Sequence, residues 1–294
     1  MLNDSFLPTI SAPSEPARSA KDFLQAKLEG RKLSMVTCYD YTFARLLAAS
    51  GVDGILVGDS VAMVMHGHPS TVTANMDMMR IHTEAVARGA GGKFIVADMP
   101  FLSFRKGVPA ALDAAQVLMS AGANAVKLEG VDGHEDVIER MVQSGIPVMG
   151  HVGLQPQSVQ VYGGYRVQGR SEETAREIAR QADTLQQLGA FAVVLECIPA
   201  KLAGEITAAL RIPTIGIGAG AGCDGQILVL QDLLGMNTGH RPKFARTFSE
   251  GAPQGHPREP HRFRADHGSA APRPRVAGGA VPPGKRSGRG QHLR

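Results

Sequence analysis

The sequence predicts an α/β protein, a (β/α)8 TIM barrel in which eight parallel strands alternate with helices. A chain of 294 residues, 43% of them hydrophobic, can bury the core of one such barrel. From Lys32 onward, short runs of Val, Ile and Leu alternate with longer helical patterns. Four of these runs end in an acid, and a closed barrel brings all such ends to one face. A doubly wound open sheet would give the same alternation and is the alternative fold.

The strands are predicted from short apolar runs bounded by polar or glycine-rich turns. These runs occupy residues 33–38, 55–57, 94–97, 125–128, 147–150, 192–195 and 214–218, with 227–230 as a weaker eighth. Eight runs favour the closed barrel over the open sheet.

The helices between these runs are predicted from apolar stripes at helical spacing. The clearest follows Ser171, which can cap a helix whose positive N-terminus is stabilised by Glu172 and Glu173. Its apolar stripe consists of Ala175, Ile178, Ala179, Ala182 and Leu185. Similar stripes predict helices over residues 77–88 and 109–120.

The two ends of the chain differ in composition from the middle. Residues 1–20, rich in Ser, Pro and Ala, predict a disordered leader, and residues 21–250 predict the catalytic barrel. Residues 251–294 contain seven Pro and eight Gly without helical apolar spacing. This composition predicts a disordered tail.

The basic character of the chain belongs to this tail. The formal net charge is +4, but residues 251–294 carry nine Lys and Arg against two acids. Residues 1–250 therefore carry 22 basic and 25 acidic residues, a net charge of −3. Because this region also lacks interleaved arginines and aromatic residues, we expect no nucleic-acid partner.

The cellular compartment is inferred from the cysteines and the hydropathy. Cys38, Cys197 and Cys223 lie far apart without Cys-x-x-Cys spacing, which argues against a zinc site or a disulfide framework. We find neither a signal-peptide pattern nor about 18 consecutive apolar residues. We therefore expect a cytoplasmic protein that does not bind membranes.

Four acids are predicted to converge at the mouth of the barrel. Asp59, Asp98, Glu129 and Glu196 each stand at the end of an apolar run, and Lys127 lies two residues before Glu129. A single acid in such a place is usually a helix cap or exposed to solvent. Four together would repel one another, so a cation is the expected partner, and oxygen ligands favour a hard ion such as Mg²⁺. Lys127 would then suit an anionic substrate.

The histidines and a glycine-rich loop give weaker signals. His66, His68 and His82 show no metal-ligand spacing, so ordinary polar contacts are expected for them, whereas His151 follows a strand end and is a candidate for the pocket wall. Residues 216–220 contain three glycines without the G-x-G-x-x-G spacing. We expect close backbone packing or ligand approach there.

Several motifs together resemble one enzyme family. They are VTCYDY at 36–41, LVGDS at 56–60, ADMPF at 97–101, VKLEG at 126–130, GHVGLQPQS at 150–158, GGYRVQG at 163–169, IGIGAG at 215–220 and CDGQ at 223–226. The chain is similar in these segments, from about residue 22 to about residue 250, to the ketopantoate hydroxymethyltransferases.

The resemblance implies a barrel of the phosphoenolpyruvate/pyruvate type and a Mg²⁺-dependent reaction. Such enzymes transfer a one-carbon unit from 5,10-methylenetetrahydrofolate, the co-substrate, to 3-methyl-2-oxobutanoate through a Mg²⁺-stabilised enolate, giving 2-dehydropantoate (ketopantoate) in the first committed step of pantothenate biosynthesis. The resemblance also implies a homo-oligomer, a decamer in the family. Position by position, it implies a Mg²⁺ site at Asp59, Asp98 and Glu129, substrate contacts at Asp59, Ser60, Asp98 and Lys127, and a proton acceptor at Glu196.

Two alternatives remain open at this point. One is another Mg²⁺-dependent lyase or aldolase of the same barrel group, acting on a 2-oxo acid through an enolate. The other arises because the family continues, after residues 241–244, with a terminal amphipathic helix that is not found here. A frameshift in the gene would explain this change of composition and could leave an inactive product.

Overall fold

The computed structural model describes residues 17–237 together with residues 242, 244, 245 and 247. Of the expected leader, residues 1–16 lie outside the described residues, while Ala17 is 1% exposed and Ser19 caps the first helix. The tail at 251–294 also lies outside them. In the described part of the chain, none of the helices is long and apolar enough to span a membrane.

Eight parallel strands close into a barrel in sequence order, as the alternation of runs predicts. They are β1 (Leu33–Thr37), β2 (Gly54–Val57), β3 (Phe94–Asp98), β4 (Ala125–Lys127), β5 (Val148–Gly153), β6 (Ala192–Glu196), β7 (Thr214–Ile217) and β8 (Gly225–Leu228). Parallel pairing of β1 with β8, in which Met35 lies opposite Ile227, closes the barrel and excludes the open sheet.

The weak eighth run marks a real strand that begins earlier than expected. Strand β8 starts at Gly225 rather than at residue 227, and Gly225 pairs with Leu33 of β1. A Cβ at Gly225 would lie 2.8 Å from the Cβ of Leu33. The start of β8 therefore requires a residue without a side chain, which hydrophobic patterning cannot detect.

Helices connect the strands. They are α1 (Ala20–Leu28), α2 (Tyr41–Ala48), α3 (Val61–Val64), α4 (Met76–Gly89), α5 (Val108–Ser120), α6 (Glu135–Gln143), α7 (Val159–Tyr162), α8 (Glu172–Gln187), α9 (Ala200–Ala209) and α10 (Leu230–Leu233), with short 3₁₀ turns at Thr71–Thr73 and Pro156–Ser158. The expected cap of α8 is confirmed, since the Ser171 hydroxyl accepts the Thr174 amide N–H. Ile178, Ala182 and Leu185 are the buried residues of that helix.

Helix α1 closes the N-terminal end of the barrel. Phe23 of α1 is fully buried, and its ring lies 5.2 Å from that of Phe94 and 5.5 Å from that of Phe191 between centroids. These rings lie near the starts of β3 and β6. This end of the barrel is filled with apolar side chains. The acids lie at the opposite end, at or just beyond the C-terminal ends of the strands.

Candidate active site

The C-terminal strand ends place all the expected polar side chains around one cavity. Asp98 and Glu196 end β3 and β6, while Asp59 and Glu129 each lie two residues beyond the ends of β2 and β4. The cavity has a volume of about 110 Å³, and its lining includes Asp59, Ser60, Asp98, Lys127, Glu129, His151 and Glu196. Convergence of the four acids, predicted from barrel geometry, is therefore observed.

Asp59, Asp98 and Lys127 form a buried ion-pair cluster. The backbone N–H of Asp59 donates to Asp98 Oδ2 at 3.0 Å, and Lys127 Nζ lies 2.8 Å from Asp98 Oδ1. All three residues are at most 5% exposed. Because they are buried, Asp59 and Asp98 are not the solvent-exposed acids that single acids at strand ends usually are.

A tight turn after β2 brings both Asp59 and Ser60 to the cavity. A Cβ on Gly58 would come within 2.8 Å of the Ser60 Oγ, so a larger residue here would displace the Ser60 hydroxyl. The Ser60 hydroxyl hydrogen-bonds to the Tyr39 hydroxyl at 2.8 Å. Burial raises the pKa of Tyr39, so this phenol stays neutral. Tyr39 lies in the VTCYDY motif, but no spacing rule marked it as a partner of Ser60.

Glu129 is held from the loop after β5. The backbone N–H of Gln157 donates to Glu129 Oε2 at 3.0 Å, and the Gln157 side-chain amide donates to Asp59 Oδ2 at 2.9 Å. The same amide nitrogen donates to the backbone oxygen of Met99 at 3.0 Å. Gln157 was not predicted as a site residue, and the GHVGLQPQS motif in which it lies was its only sequence signal.

His151, expected in the pocket wall, lies between Lys127 and Glu196. Its Nδ1 is 3.3 Å from Lys127 Nζ and its Nε2 is 3.2 Å from Glu196 Oε2. Burial and the nearby Lys127 cation lower the pKa of His151, so its ring is neutral near pH 7. An ammonium can only donate, so Nδ1 accepts and Nε2 carries the proton. The Nε2 atom and Glu196 are close but not aligned for a hydrogen bond, which leaves an electrostatic contact.

Two of the crowded acids, Asp59 and Glu129, have raised pKa values and hold their protons more tightly than usual. Burial, together with the negative charge of Asp98, raises the pKa of Asp59 to about 7. Burial and the charge of Asp59 likewise raise the pKa of Glu129. Burial alone would lower the pKa of Lys127, but the carboxylates of Asp98, Glu129 and Asp59 outweigh this effect and raise it. The Lys127 ammonium alone therefore does not supply enough positive charge to let Asp59 and Glu129 ionise in their usual pH range.

The donor set suits a hard divalent cation that keeps part of its own coordination shell. Asp98 Oδ1 and Glu129 Oε1 are buried and have no aligned hydrogen-bond partner within the described part of the chain. Among those same residues, no three His, Cys, Asp or Glu side chains are arranged to enclose a metal. Mg²⁺ is typically bound through one or two carboxylates plus water and substrate oxygens, so the two observations agree.

The remaining polar features have structural explanations. His66 Nε2 and His82 Nε2 hydrogen-bond to each other at 2.9 Å, an ordinary polar contact as expected. In the glycine-rich loop, a Cβ on Gly216 would lie 2.8 Å from Cys223 Sγ, and one on Gly220 would lie 2.5 Å from the Ala200 Cβ. The loop glycines are therefore required by close packing.

Comparison with known proteins gives consistent matches. The family model described as "Ketopantoate hydroxymethyltransferase" matches residues 18–256. A 3-methyl-2-oxobutanoate hydroxymethyltransferase of Bdellovibrio bacteriovorus is 58% identical over 230 residues, which are 78% of this chain and 88% of that protein. The enzyme of the same name from Legionella pneumophila is 51% identical over 228 residues, 77% of this chain and 87% of that protein.

Solved structures support the fold. A phosphonopyruvate hydrolase superposes with a TM-score of 0.56 at 13% identity, covering 75% of this chain and 84% of the other. A 2,3-dimethylmalate lyase of the PEP mutase/isocitrate lyase superfamily has a TM-score of 0.56 at 17% identity, covering 76% and 81%. Barrel geometry, the polar cavity, the family match and relatives at this identity lead to one conclusion: the chain belongs to the ketopantoate hydroxymethyltransferase family.

Proposed function

We propose that this chain transfers the methylene carbon of 5,10-methylenetetrahydrofolate to C3 of 3-methyl-2-oxobutanoate with uptake of water, giving 2-dehydropantoate and tetrahydrofolate. The main supporting observation is that the acids, Lys127 and Ser60 of the family motifs all line one cavity. The names of relatives more than 50% identical support 3-methyl-2-oxobutanoate as the acceptor, and the family resemblance implies the folate donor.

In this proposal the carboxylates of Asp59, Asp98 and Glu129 hold Mg²⁺ either directly or through its water ligands, and the ion would supply Lewis-acid polarisation of the 2-oxo group. Glu129 Oε1 is buried and has no hydrogen-bond partner among the described residues, so it is the oxygen most available to a cation, whereas Asp98 Oδ1 already lies against the Lys127 ammonium. Gathering carboxylates in a buried cavity is costly without such a charge.

The side chains around the cavity perform the proton transfer and bind the anion. The Lys127 ammonium provides positive charge for the substrate carboxylate, and the Ser60 hydroxyl, fixed by Tyr39, provides a hydrogen-bonding group. Glu196 takes the proton from C3 of the 2-oxo acid, so that C3 can attack the folate methylene. The Nε2–H of His151 lies 3.2 Å from Glu196 Oε2 and makes an electrostatic contact with that carboxylate.

A product assay tests the proposal. We expect the full-length chain to form 2-dehydropantoate when it is supplied with Mg²⁺, 3-methyl-2-oxobutanoate and 5,10-methylenetetrahydrofolate. Product formation is detected by ¹³C NMR, with the label in the methylene carbon of the folate. The paired assay offers hydroxylated 2-oxo acids without folate and measures cleavage. Cleavage without folate-dependent transfer would identify a lyase or aldolase of this barrel group, and neither reaction in folded protein would favour an inactive product.

A further inference from the structure

We infer that Gln157 is a positioning residue whose two donors fix Asp59 and Glu129 relative to each other, and thereby set the affinity of the cavity for a divalent cation. This inference rests on the proposed function. It assigns to the loop after β5 a role in metal binding, although that loop contributes none of the proposed ligands.

Gln157 makes three hydrogen bonds at the mouth of the barrel. Its backbone N–H reaches Glu129 Oε2, and its side-chain nitrogen reaches both Asp59 Oδ2 and the oxygen of Met99. These partners follow β4, β2 and β3 respectively. One residue, 7% exposed, therefore links the ends of three consecutive strands.

The orientation of the side-chain amide is determined by its partners. The backbone oxygen of Met99 can only accept a hydrogen bond, so the group facing it must be the nitrogen rather than the oxygen of the amide. The second hydrogen on that nitrogen is then directed to Asp59. Of the uncharged side chains of this length, glutamine supplies these two donors from one atom.

The hydrogen bonds divide the roles of the carboxylate oxygens. Glu129 Oε2 accepts from Gln157, whereas Glu129 Oε1 has no hydrogen-bond partner in the described residues and lies 3.7 Å from His151 Nδ1. Asp98 Oδ2 accepts from the Asp59 N–H, whereas Asp98 Oδ1 faces Lys127. Each acid thus has one oxygen fixed by an N–H and another directed elsewhere. Such outer contacts orient metal ligands and typically change metal affinity by about 10–100-fold.

The test compares metal binding by wild type, Gln157→Leu and a matched control, Gln155→Leu. Gln155 lies two residues earlier in the same loop and is also 7% exposed. Its side chain lies beside Gly130 and makes no hydrogen bond to the four acids within the described residues. Both changes remove a buried amide, but only Gln157→Leu removes a donor from Asp59.

Calorimetric titration of Mg²⁺ into metal-free protein is the primary readout. Gln157→Leu is expected to weaken binding by about 10–100-fold, with Gln155→Leu staying within about threefold of wild type. Turnover supplies a second readout, since excess Mg²⁺ should restore much of the kcat of Gln157→Leu if the defect lies in metal affinity. Structural damage would not be restored by metal.

The possible outcomes separate the explanations. Wild-type affinity in Gln157→Leu, or equal losses in both variants, would overturn the positioning role. Should Gln157→Leu fail to fold, Gln157→Asn keeps the backbone donor and a shorter amide, and it should bind Mg²⁺ more weakly than wild type. Wild-type affinity in Gln157→Asn would then overturn the inference. A failure of the proposed function is distinguishable, because wild type itself would then form no 2-dehydropantoate, and it would also fail to bind Mg²⁺ if the acids hold no cation.

Discussion

At the scale of single residues, the account depends on three buried acids that share one ammonium. Asp59 is the acid whose raised pKa, about 7, falls in the accessible pH range. Its usual value is 3.8, so between about pH 4 and 7 the folded state holds a proton that the unfolded state has released. The stability contributed by this site in the metal-free protein is therefore present below about pH 4 and is lost as the pH rises through 7.

Asp59→Asn should consequently have opposite effects on metal binding and on metal-free stability. Loss of a charged oxygen ligand weakens Mg²⁺ binding, while loss of a buried like charge stabilises the metal-free fold by roughly 1–3 kcal/mol above pH 7. Urea unfolding at pH 5 and pH 8, with EDTA present, measures the second effect. A variant less stable than wild type at pH 8 would contradict the crowding of the acids.

Asp98→Asn is the companion test of the metal site. Asp98 Oδ1 lies against Lys127 in the cavity. Because asparagine removes the negative charge of this carboxylate, the substitution should also reduce the affinity for Mg²⁺. Titration of Mg²⁺ into both aspartate variants measures the loss. Unchanged affinity in Asp59→Asn and Asp98→Asn would remove the metal assignment from both residues.

The sequence could predict the acids but not the residues that hold them. Asp59, Asp98, Glu129 and Glu196 were predictable because parallel strands align their carboxyl ends at one face. Gln157 could not be predicted, since its contact with Asp59 joins residues 98 positions apart through an irregular loop. The Tyr39 hydroxyl was missed for a similar reason, because its partner Ser60 reaches it through a turn after a different strand.

At the scale of elements, strands and long helices follow from periodicity, whereas the short elements do not. Helix α4 was expected over 77–88 and extends over Met76–Gly89, and α5 differs from expectation by one residue. Helices α3 and α7 have four residues each, too few to show an apolar stripe. Both helices follow the ends of strands beside the cavity, where the backbone positions the side chains of the site.

Helix α1 provides a stability test that is independent of catalysis. Phe23→Ala leaves a void among the rings of Phe94 and Phe191, and the expected loss is about 3–5 kcal/mol in the free energy of unfolding. Leu28→Ala on the same helix is the control, because Leu28 is 72% exposed and should cost little. Urea unfolding compares the two, and similar losses would contradict the assignment of α1 as a buried closure of the barrel.

At the scale of the whole molecule, the order of strands in the barrel follows from local sequence patterns. Eight apolar runs that alternate with helices predict eight parallel strands in sequence order. The pairing of β1 with β8 confirms that these strands form a closed barrel. The tail at 251–294 remains a prediction outside the described residues. Its composition differs from that of the barrel, which has a net negative charge.

The frameshift hypothesis is tested on the gene. If a change of reading frame occurred after about codon 250, one of the other two forward frames should encode an amphipathic helix ending near a family-like terminus. Such a helix would cover apolar surface on the outer face of the first and last strands. If neither frame encodes such a helix, the tail is a true extension of this chain.

The central claim is that the carboxylate cavity, with Mg²⁺ bound, removes the C3 proton of 3-methyl-2-oxobutanoate through Glu196. Exchange of that proton with solvent deuterium, followed by ¹H NMR without folate, measures this step directly. We predict exchange by wild type with Mg²⁺, loss of exchange with EDTA, and a loss of about 100-fold or more in Glu196→Gln, which keeps the shape but cannot accept a proton. Exchange at the wild-type rate in Glu196→Gln, with Mg²⁺ binding intact, would contradict the account.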